Sequence, residues 1–470
     1  MAVQHSRALY LGVLGIIIAM QASGTAIAAS DSSATRNVLL LISDDHGLDA
    51  GCYGNKAVQT PTIDRLAREG VLFTSAFAAV SSCSPSRATI MTGRYNHAVG
   101  QYGLSHAAHN QQTRPEVQSV PKILSEAGYR TGMVGKYHLG PDAVYPFDLR
   151  VGEKLGRDSQ ALGRHAREFL SSVGTAPFFL TIGFSDTHRL GSHFPANQPD
   201  AHTTNTLRYD GALPHFLMDL PEVRRDYAAY CESVNNLDRS VAQILSAIDE
   251  AGATSSTLVI FLSDNGIPFP GAKTNLYDAG IRLPLIVRAP GTVHANTRSD
   301  SMVSWIDIAP TILDWAGLQA PKAMRGTSLF STVNDPAADK NRPVYASHTF
   351  HEITMYYPMR CVRTRDYKLI WNLANELPFT IAGDLEGSPS WTAVFTHPHG
   401  QVGGHPVQQY LRRPRLELFD LKSDPNERSN LSQDSRHKAT LDKLTSNILD
   451  MMRESRDPWL DVATRQLEQR

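Results

Sequence analysis

Cysteine is scarce: Cys52, Cys83, Cys231 and Cys361 are the only four in 470 residues. That is too few for a disulfide framework, even in an oxidising compartment. Excess charge is missing as well. Lysine and arginine number 45 against 46 aspartates and glutamates, a balance that points neither to nucleic acid nor to an acidic membrane surface. Internal repeats and low-complexity tracts are absent, and beyond the first residues no apolar run approaches the length of a membrane span. What is present is 41% hydrophobic residues, enough to bury a large core in one big domain with a satellite, or in two domains of ordinary size.

The start of the chain reads as a secretory signal peptide over residues 1–28: a short basic beginning (His5, Arg7), an apolar stretch from Ala8 to Met20, and the small-residue sequence Ala26-Ile27-Ala28. That apolar stretch is short for a span, and no cysteine follows the cleavage site. The expectation is an exported protein, periplasmic or secreted, with no stable membrane anchor.

Three segments share one pattern, an apolar run that ends abruptly in polar, oxygen-bearing residues. They are Val38 to Ile42 into Ser43-Asp44-Asp45, Phe178 to Ile182 into Ser185-Asp186-Thr187-His188, and Leu258 to Leu262 into Ser263-Asp264-Asn265. Such runs suit strands buried on both faces of a mainly parallel sheet. Helical patterns lie between them: Thr60-Pro61 to Gly70, Leu237 to Ile248 before Gly252, and Ile308 to Trp315 before Gly317. This alternation predicts an α/β sandwich with ligands gathered beyond the carboxyl ends of the strands, where the polar clusters fall. The catalytic domain is expected over residues 29–356. From 357 to 470 the character changes to a smaller α+β subdomain: a hairpin from Met359 to Asn372, a strand from Leu416 to Leu421, and an amphipathic helix through Leu441, Leu444, Ile448 and Met452. Pro378 to Gly404, rich in glycine, proline, histidine and threonine, reads as a long surface loop.

Asp44, Asp45, Asp264 and Asn265 offer only oxygen ligands, which suits a hard cation such as calcium or magnesium and not zinc. Converging without a cation, three carboxylates would repel strongly. Cys83-Ser84-Pro85-Ser86-Arg87 continues through Ala88 to Gly93 as a helix opening at Pro85, which would set Cys83 at an N-terminus that favours negative charge. A thiolate phosphatase loop would need arginine six residues after the cysteine, and Thr89 stands there. A buried structural cysteine is the plain alternative. Further candidates are Lys136 and His138 in Gly135-Lys136-Tyr137-His138, His188, and Lys273 in Gly271-Ala272-Lys273-Thr274; His97, His106 and His351 are weaker, read as pocket lining or surface.

Together these motifs resemble the type I sulfatases, through Asp44-Asp45, Cys83 to Arg87, Lys136 to His138, His188, Asp264-Asn265 and Lys273, over nearly the whole mature chain. The resemblance implies an alkaline-phosphatase-like sandwich, with a large mostly parallel central sheet flanked by helices and a smaller C-terminal antiparallel sheet. It implies that a formylglycine-generating maturation enzyme converts Cys83 to formylglycine, and that Asp44, Asp45, residue 83, Asp264 and Asn265 bind Ca2+, with Mg2+ as the alternative. Arg87 would steady the hydrate of the aldehyde. Lys136, His188 and Lys273 would hold the sulfate, His188 with Lys273 would protonate the leaving group, and His138 would deprotonate the second hydroxyl.

Within the family the chain looks most like the N-sulfoglucosamine sulfohydrolases, through Gly140 to Asp148, Ser263 to Pro270 and His351 to Arg360. Lys273 stands where animal members of that branch are expected to carry arginine, a point charge in place of a planar fork. The substrate to expect is a sulfated glycan carrying an N-sulfate on a terminal glucosamine. An O-sulfated algal or host glycan, a phosphomonoester or phosphonate, and a silent glycan-binding role with Cys83 unconverted are the alternatives. Homodimerisation is left open by the sequence.

Overall fold

The computed structural model describes residues 36–195, 208–291, 294–337 and 341–469. The leader expected over residues 1–28 lies outside these ranges, as do residues 196–207.

An unbroken run such as Val38 to Ile42 has no face to offer water, so it needs cover on both sides. It finds that cover in an eight-stranded sheet of β1 (Asn37–Ser43), β2 (Val71–Phe73), β3 (Arg130–Gly135), β4 (Leu149–Val151), β5 (Phe178–Gly183), β6 (Thr257–Ser263), β7 (Leu285–Arg288) and β8 (Thr297–Ser299). The spatial order is β4-β3-β5-β1-β6-β7-β2-β8. Every neighbouring pair is parallel except the two that β7 makes. The three apolar runs singled out in the sequence thus lie side by side at the centre.

Alternation along β1 assigns its residues to two cores. Val38, Leu40 and Ile42 pack with Ala88, Ile90 and Met91 of the helix Cys83–Thr92, with Val120 and Leu124, and with Ile308 and Ile312 of the helix Ile308–Trp315. Leu39 and Leu41 face the opposite way, toward Ile63 and Leu66 of the helix Pro61–Glu69, Leu162 and Phe169, and Leu237, Val241, Ile244 and Ile248 of the helix Pro221–Glu250. At about 1.5–3 kcal/mol for each fully buried large apolar side chain, the two cores dominate what holds the sandwich together. The helix carrying Cys83 begins at that residue, two positions before the Pro85 expected to open it. It ends at Gly93, whose φ of 60° lets its N–H return to Thr89 O.

A second sheet is wholly antiparallel: β9 (Val344–His348), β10 (Met359–Arg363), β11 (Tyr367–Asn372) and β12 (Leu416–Asp420). Its first strand lies upstream of residue 357. One face packs Val362, Leu369, Trp371 and Leu418 against Leu441, Leu444, Ile448 and Met452 of the helix Lys438–Ser455; the other turns Met359, Ile370 and Phe419 toward Phe77, Leu276 and Tyr277.

The stretch Pro378 to Gly404 is not a surface loop. It holds the helices Gly383–Glu386 and Pro389–Thr396 and the strand Gln401–Val402, and it buries Phe379, Ala382, Leu385, Trp391, Val394 and Val402. Its glycine and proline content masked a local signal. Ser388 caps the second helix by accepting from Trp391 N–H, with Pro389 in the first turn.

Candidate active site

Because β1 and β6 pair in register through Ser43 and Ser263, the residues that follow leave the sheet side by side. Asp264 N–H donates to Ser43 O at 3.1 Å, and Asp45 N–H donates to Asp264 Oδ1 at 3.1 Å. Above this pair lies the N-terminus of the helix Cys83–Thr92, with Cys83 only 1% exposed. Its Sγ is 3.9 Å from Asp45 Oδ1 and 3.8 Å from Asn265 Nδ2. Arg87 follows one helical turn later and so lies on the same face. Its Nε and Nη2 both reach Asp264 Oδ2 at 2.9 Å, and its Nη1 donates to Lys136 O at 3.1 Å.

Two lysines complete the positive rim. Lys136, just past the end of β3, places Nζ 2.6 Å from Asp44 Oδ2. Lys273 is fully buried, with Nζ 2.8 Å from Asp45 Oδ2, 2.7 Å from Asp384 Oδ2 and 3.1 Å from His188 Nε2. His188 Nδ1 lies 2.6 Å from Arg189 O. A carbonyl only accepts, so Nδ1 carries the proton and Nε2 keeps its lone pair toward Lys273. Arg189 itself is locked by two bonds to Asp226, at 3.0 and 2.8 Å, and sits over the rings of Phe194 and Phe269.

The carboxylates are in unlike states. Burial, with Asp44 beside it, raises Asp264 to about 7 against the pull of Arg87. Burial also raises Asp45, to about 6, although Lys273 opposes it. At Asp44 burial is outweighed by Lys136, His188 and Arg87, which hold it well below the usual carboxylate range. Asp44 Oδ1 and Asn265 Oδ1 are buried and have no hydrogen-bond partner, and Asp44, Cys83 and Asp264 offer ligand atoms within 4.8 Å of one another. Unpartnered oxygens among mutually repelling carboxyl groups fit a hard divalent cation.

All the candidates from Asp44 to Lys273 therefore meet at one place. His138, the last of them, turns its Nε2 to His106 Nδ1, and its N–H donates to Glu153 Oε1 at 3.1 Å. Burial first, then Lys136 and His106, holds His138 well below the ordinary histidine value. His188 is pushed down to about 4 by burial and by Lys273. Of the weaker candidates, His106 lines the site through His138, and His351 lies buried behind Cys83 with Nδ1 2.8 Å from Ser82 Oγ. His97 is neither lining nor surface: it is buried between Ser347 and Ser455 near Asp457.

Asp384 escaped the sequence reading altogether. It reaches the site from a segment with no motif around it. The site opens where side chains are partly exposed, at His188 (26%), Asp384 (13%) and Lys136 (12%), while Lys273, Asp45 and Asp264 are sealed.

The family described as Sulfatase matches residues 36–318, and that described as N-sulphoglucosamine sulphohydrolase, C-terminal, matches residues 272–390. N-sulphoglucosamine sulphohydrolase of Homo sapiens is 37% identical over 473 residues, covering 93% of this chain and 93% of that one. An ulvan-active sulfatase of Formosa agariphila is 27% identical, covering 90% and 80%. Among solved structures, a protein in complex with its substrate D-glucosamine-2-N,6-O-disulfate matches with a TM-score of 0.67 at 20% identity, over 90% of this chain and 99% of that one. A 2-O GAG sulfatase matches with 0.67 at 19% identity, over 90% and 93%. The fold is the alkaline-phosphatase-like one, and the chain belongs to the sulfatase family of enzymes.

Proposed function

We propose that this sulfatase is exported and removes the N-sulfate of terminal N-sulfoglucosamine from heparan sulfate or heparin, using a formylglycine made from Cys83 and a bound Ca2+. The observation that carries the substrate is the 37% identity to human N-sulphoglucosamine sulphohydrolase across 93% of both chains. Asp44, Asp45, Asp264, Asn265 and residue 83 would hold the cation, with Mg2+ as the alternative. When bound, the cation would supply fixed positive charge that offsets the negative charge of the sulfate and of the nucleophile. The hydrate of formylglycine supplies one hydroxyl for attack at sulfur and a second whose deprotonation expels the sulfate.

The remaining work falls to side chains. Arg87 orients Asp264, which takes the proton of the attacking hydroxyl. Lys136 and Lys273 set positive charge where the sulfate's negative charge accumulates. His188 Nε2 delivers the proton that lets the amine depart. In the free enzyme that nitrogen accepts from Lys273 Nζ at 3.1 Å; because Asp384 and Asp45 keep the lysine protonated despite burial, the proton that reloads His188 comes from solvent and Lys273 keeps its charge for the sulfate. His138 takes the proton of the second hydroxyl, with His106 behind it. Partners implied are a sulfated glycan and a formylglycine-generating enzyme; a homodimer is compatible.

Lysine at position 273 and the likeness to an ulvan-active sulfatase favour an O-sulfated glycan as the second reading. The test is sulfate release by matured protein with calcium from N-sulfoglucosamine, glucosamine 6-sulfate and sulfated algal oligosaccharides, with Cys83→Ala as control. Release from N-sulfoglucosamine, abolished in Cys83→Ala, is expected. Undiminished turnover by Cys83→Ala would sink the mechanism, and faster turnover of aryl phosphate than of aryl sulfate would move the chain to phosphomonoesters.

A further inference from the structure

Asp384 comes to the site from the segment Pro378 to Gly404, and one oxygen of its carboxylate has no hydrogen-bond partner among the described residues. Oδ2 is engaged, 2.7 Å from Lys273 Nζ and 3.6 Å from His188 Nε2. Oδ1 is buried and accepts no hydrogen bond from any described residue. A buried acceptor without a donor is costly and calls for a partner that arrives from outside. The side chain stands at the mouth, 13% exposed, and its segment is anchored by Gly383 N–H, which donates to Glu352 Oε1 at 3.1 Å.

We infer that Asp384 is the specificity residue for a sulfamate, its free oxygen accepting the N–H that an N-sulfate carries and an O-sulfate ester lacks. This rests on the N-sulfoglucosamine reading above. Lys273 and His188 flank the leaving atom in that reading, and Asp384 Oδ2 lies 2.7 Å from the one and 3.6 Å from the other, with the free oxygen on the same carboxylate. Although burial opposes it, Lys273, with His188 and His351, holds Asp384 ionised, and an ionised carboxylate can only accept. A sulfamate nitrogen presents a hydrogen to it. The bridging oxygen of an ester presents lone pairs, so the same carboxylate repels it and is left unpaired. A hydrogen bond to a charged group is worth about 10- to 100-fold in affinity, and discrimination is strongest where a site's buried polar group loses its partner.

The test uses matured enzyme with calcium and two ligands that differ only at the scissile atom: N-sulfoglucosamine and glucose 2-sulfate. For each, kcat/KM is measured, or the inhibition constant if the ester is not turned over. In Asp384→Asn the amide oxygen turns to Lys273 and leaves NH2 in the free position. The loss for the sulfamate should then exceed the loss for the ester by about 10- to 100-fold. Asp384→Ala, as second variant, should narrow the sulfamate preference by a similar factor, and melting curves check that both fold. Equal losses for both ligands would overturn the inference, because a residue that only positions Lys273, or binds a sugar hydroxyl, cannot tell them apart. Equal preference in the unmutated enzyme would overturn it as well. If the unmutated enzyme releases no sulfate from N-sulfoglucosamine, the substrate reading itself fails and this inference falls with it.

Discussion

Gly183 and Lys136 meet back to back at the ends of β5 and β3: the N–H of Lys136 donates to Gly183 O at 2.7 Å, and a Cβ on Gly183 would stand 1.9 Å from Lys136 O. That carbonyl oxygen also accepts from Arg87. One hydrogen atom in place of a methyl therefore sets both a lysine and an arginine of the site. Gly183→Ala should cost about 1–3 kcal/mol in stability and about 100-fold in sulfate release, the scale expected of a 1 Å displacement. Denaturant unfolding and steady-state rates check it; an unchanged rate would show that Lys136 is not needed where it stands.

The second prediction concerns the cation. Chelation should abolish sulfate release and added Ca2+ should restore it. The melting temperature should rise with Ca2+, corresponding to about 2.7 kcal/mol at a hundredfold excess over Kd. Asn265→Ala removes an unpartnered oxygen and should raise the calcium required by about tenfold or more. A melting temperature indifferent to Ca2+ would contradict the assignment.

Lys273 is buried between two carboxylates and a histidine. Lys273→Met should therefore destabilise the fold by about 3–5 kcal/mol, since truncating one partner leaves buried charge unpaired. A loss below about 1 kcal/mol in urea unfolding would mean that the cluster relaxes into water.

His348 gives a pH dependence from a group that is not among the cation's proposed ligands. Burial first, then Arg413 and Arg360, pushes it down to about 3, and neither ring nitrogen has a hydrogen-bond partner. The unfolded chain binds its proton near 6.5, so the neutral ring's stabilisation is fully present above that pH. It declines as pH falls toward 3, by about 1.4 kcal/mol per unit. Glu427, raised to about 7 by burial against Lys368, works in the opposite sense, so the comparison is with His348→Gln. Unfolding free energies from pH 7 to 4 should fall more steeply in the unmutated protein; parallel curves would refute the assignment.

Much of this was legible because the chemistry sits where the local pattern changes. Val38 to Ile42 and Leu258 to Leu262 announce buried strands by lacking any polar residue, and a parallel sheet must gather whatever follows them at one edge. Asp44-Asp45 and Asp264-Asn265, each at the end of such a run, therefore leave the sheet on the same side. Pro61, Gly93 and Gly317 marked helix ends for equally local reasons. The reading of Pro378 to Gly404 went astray because Gly, Pro and Thr describe backbone freedom, while the burial of Trp391 and Leu385 depends on what lies opposite.

What the sequence by itself determined, then, is the set of strands and helices, the oxygen-bearing strand ends and the family, all written in periodicity and contiguous motifs. Tertiary structure alone decided that Asp384, 111 residues after Lys273, closes the ion cluster, that His106 stands against His138, and that the Arg189–Asp226 pair braces His188. In each of these contacts at least one partner comes from a segment whose own neighbours carry no pattern. A side chain's partner across such a distance is set by how the layers pack, not by the residues beside it.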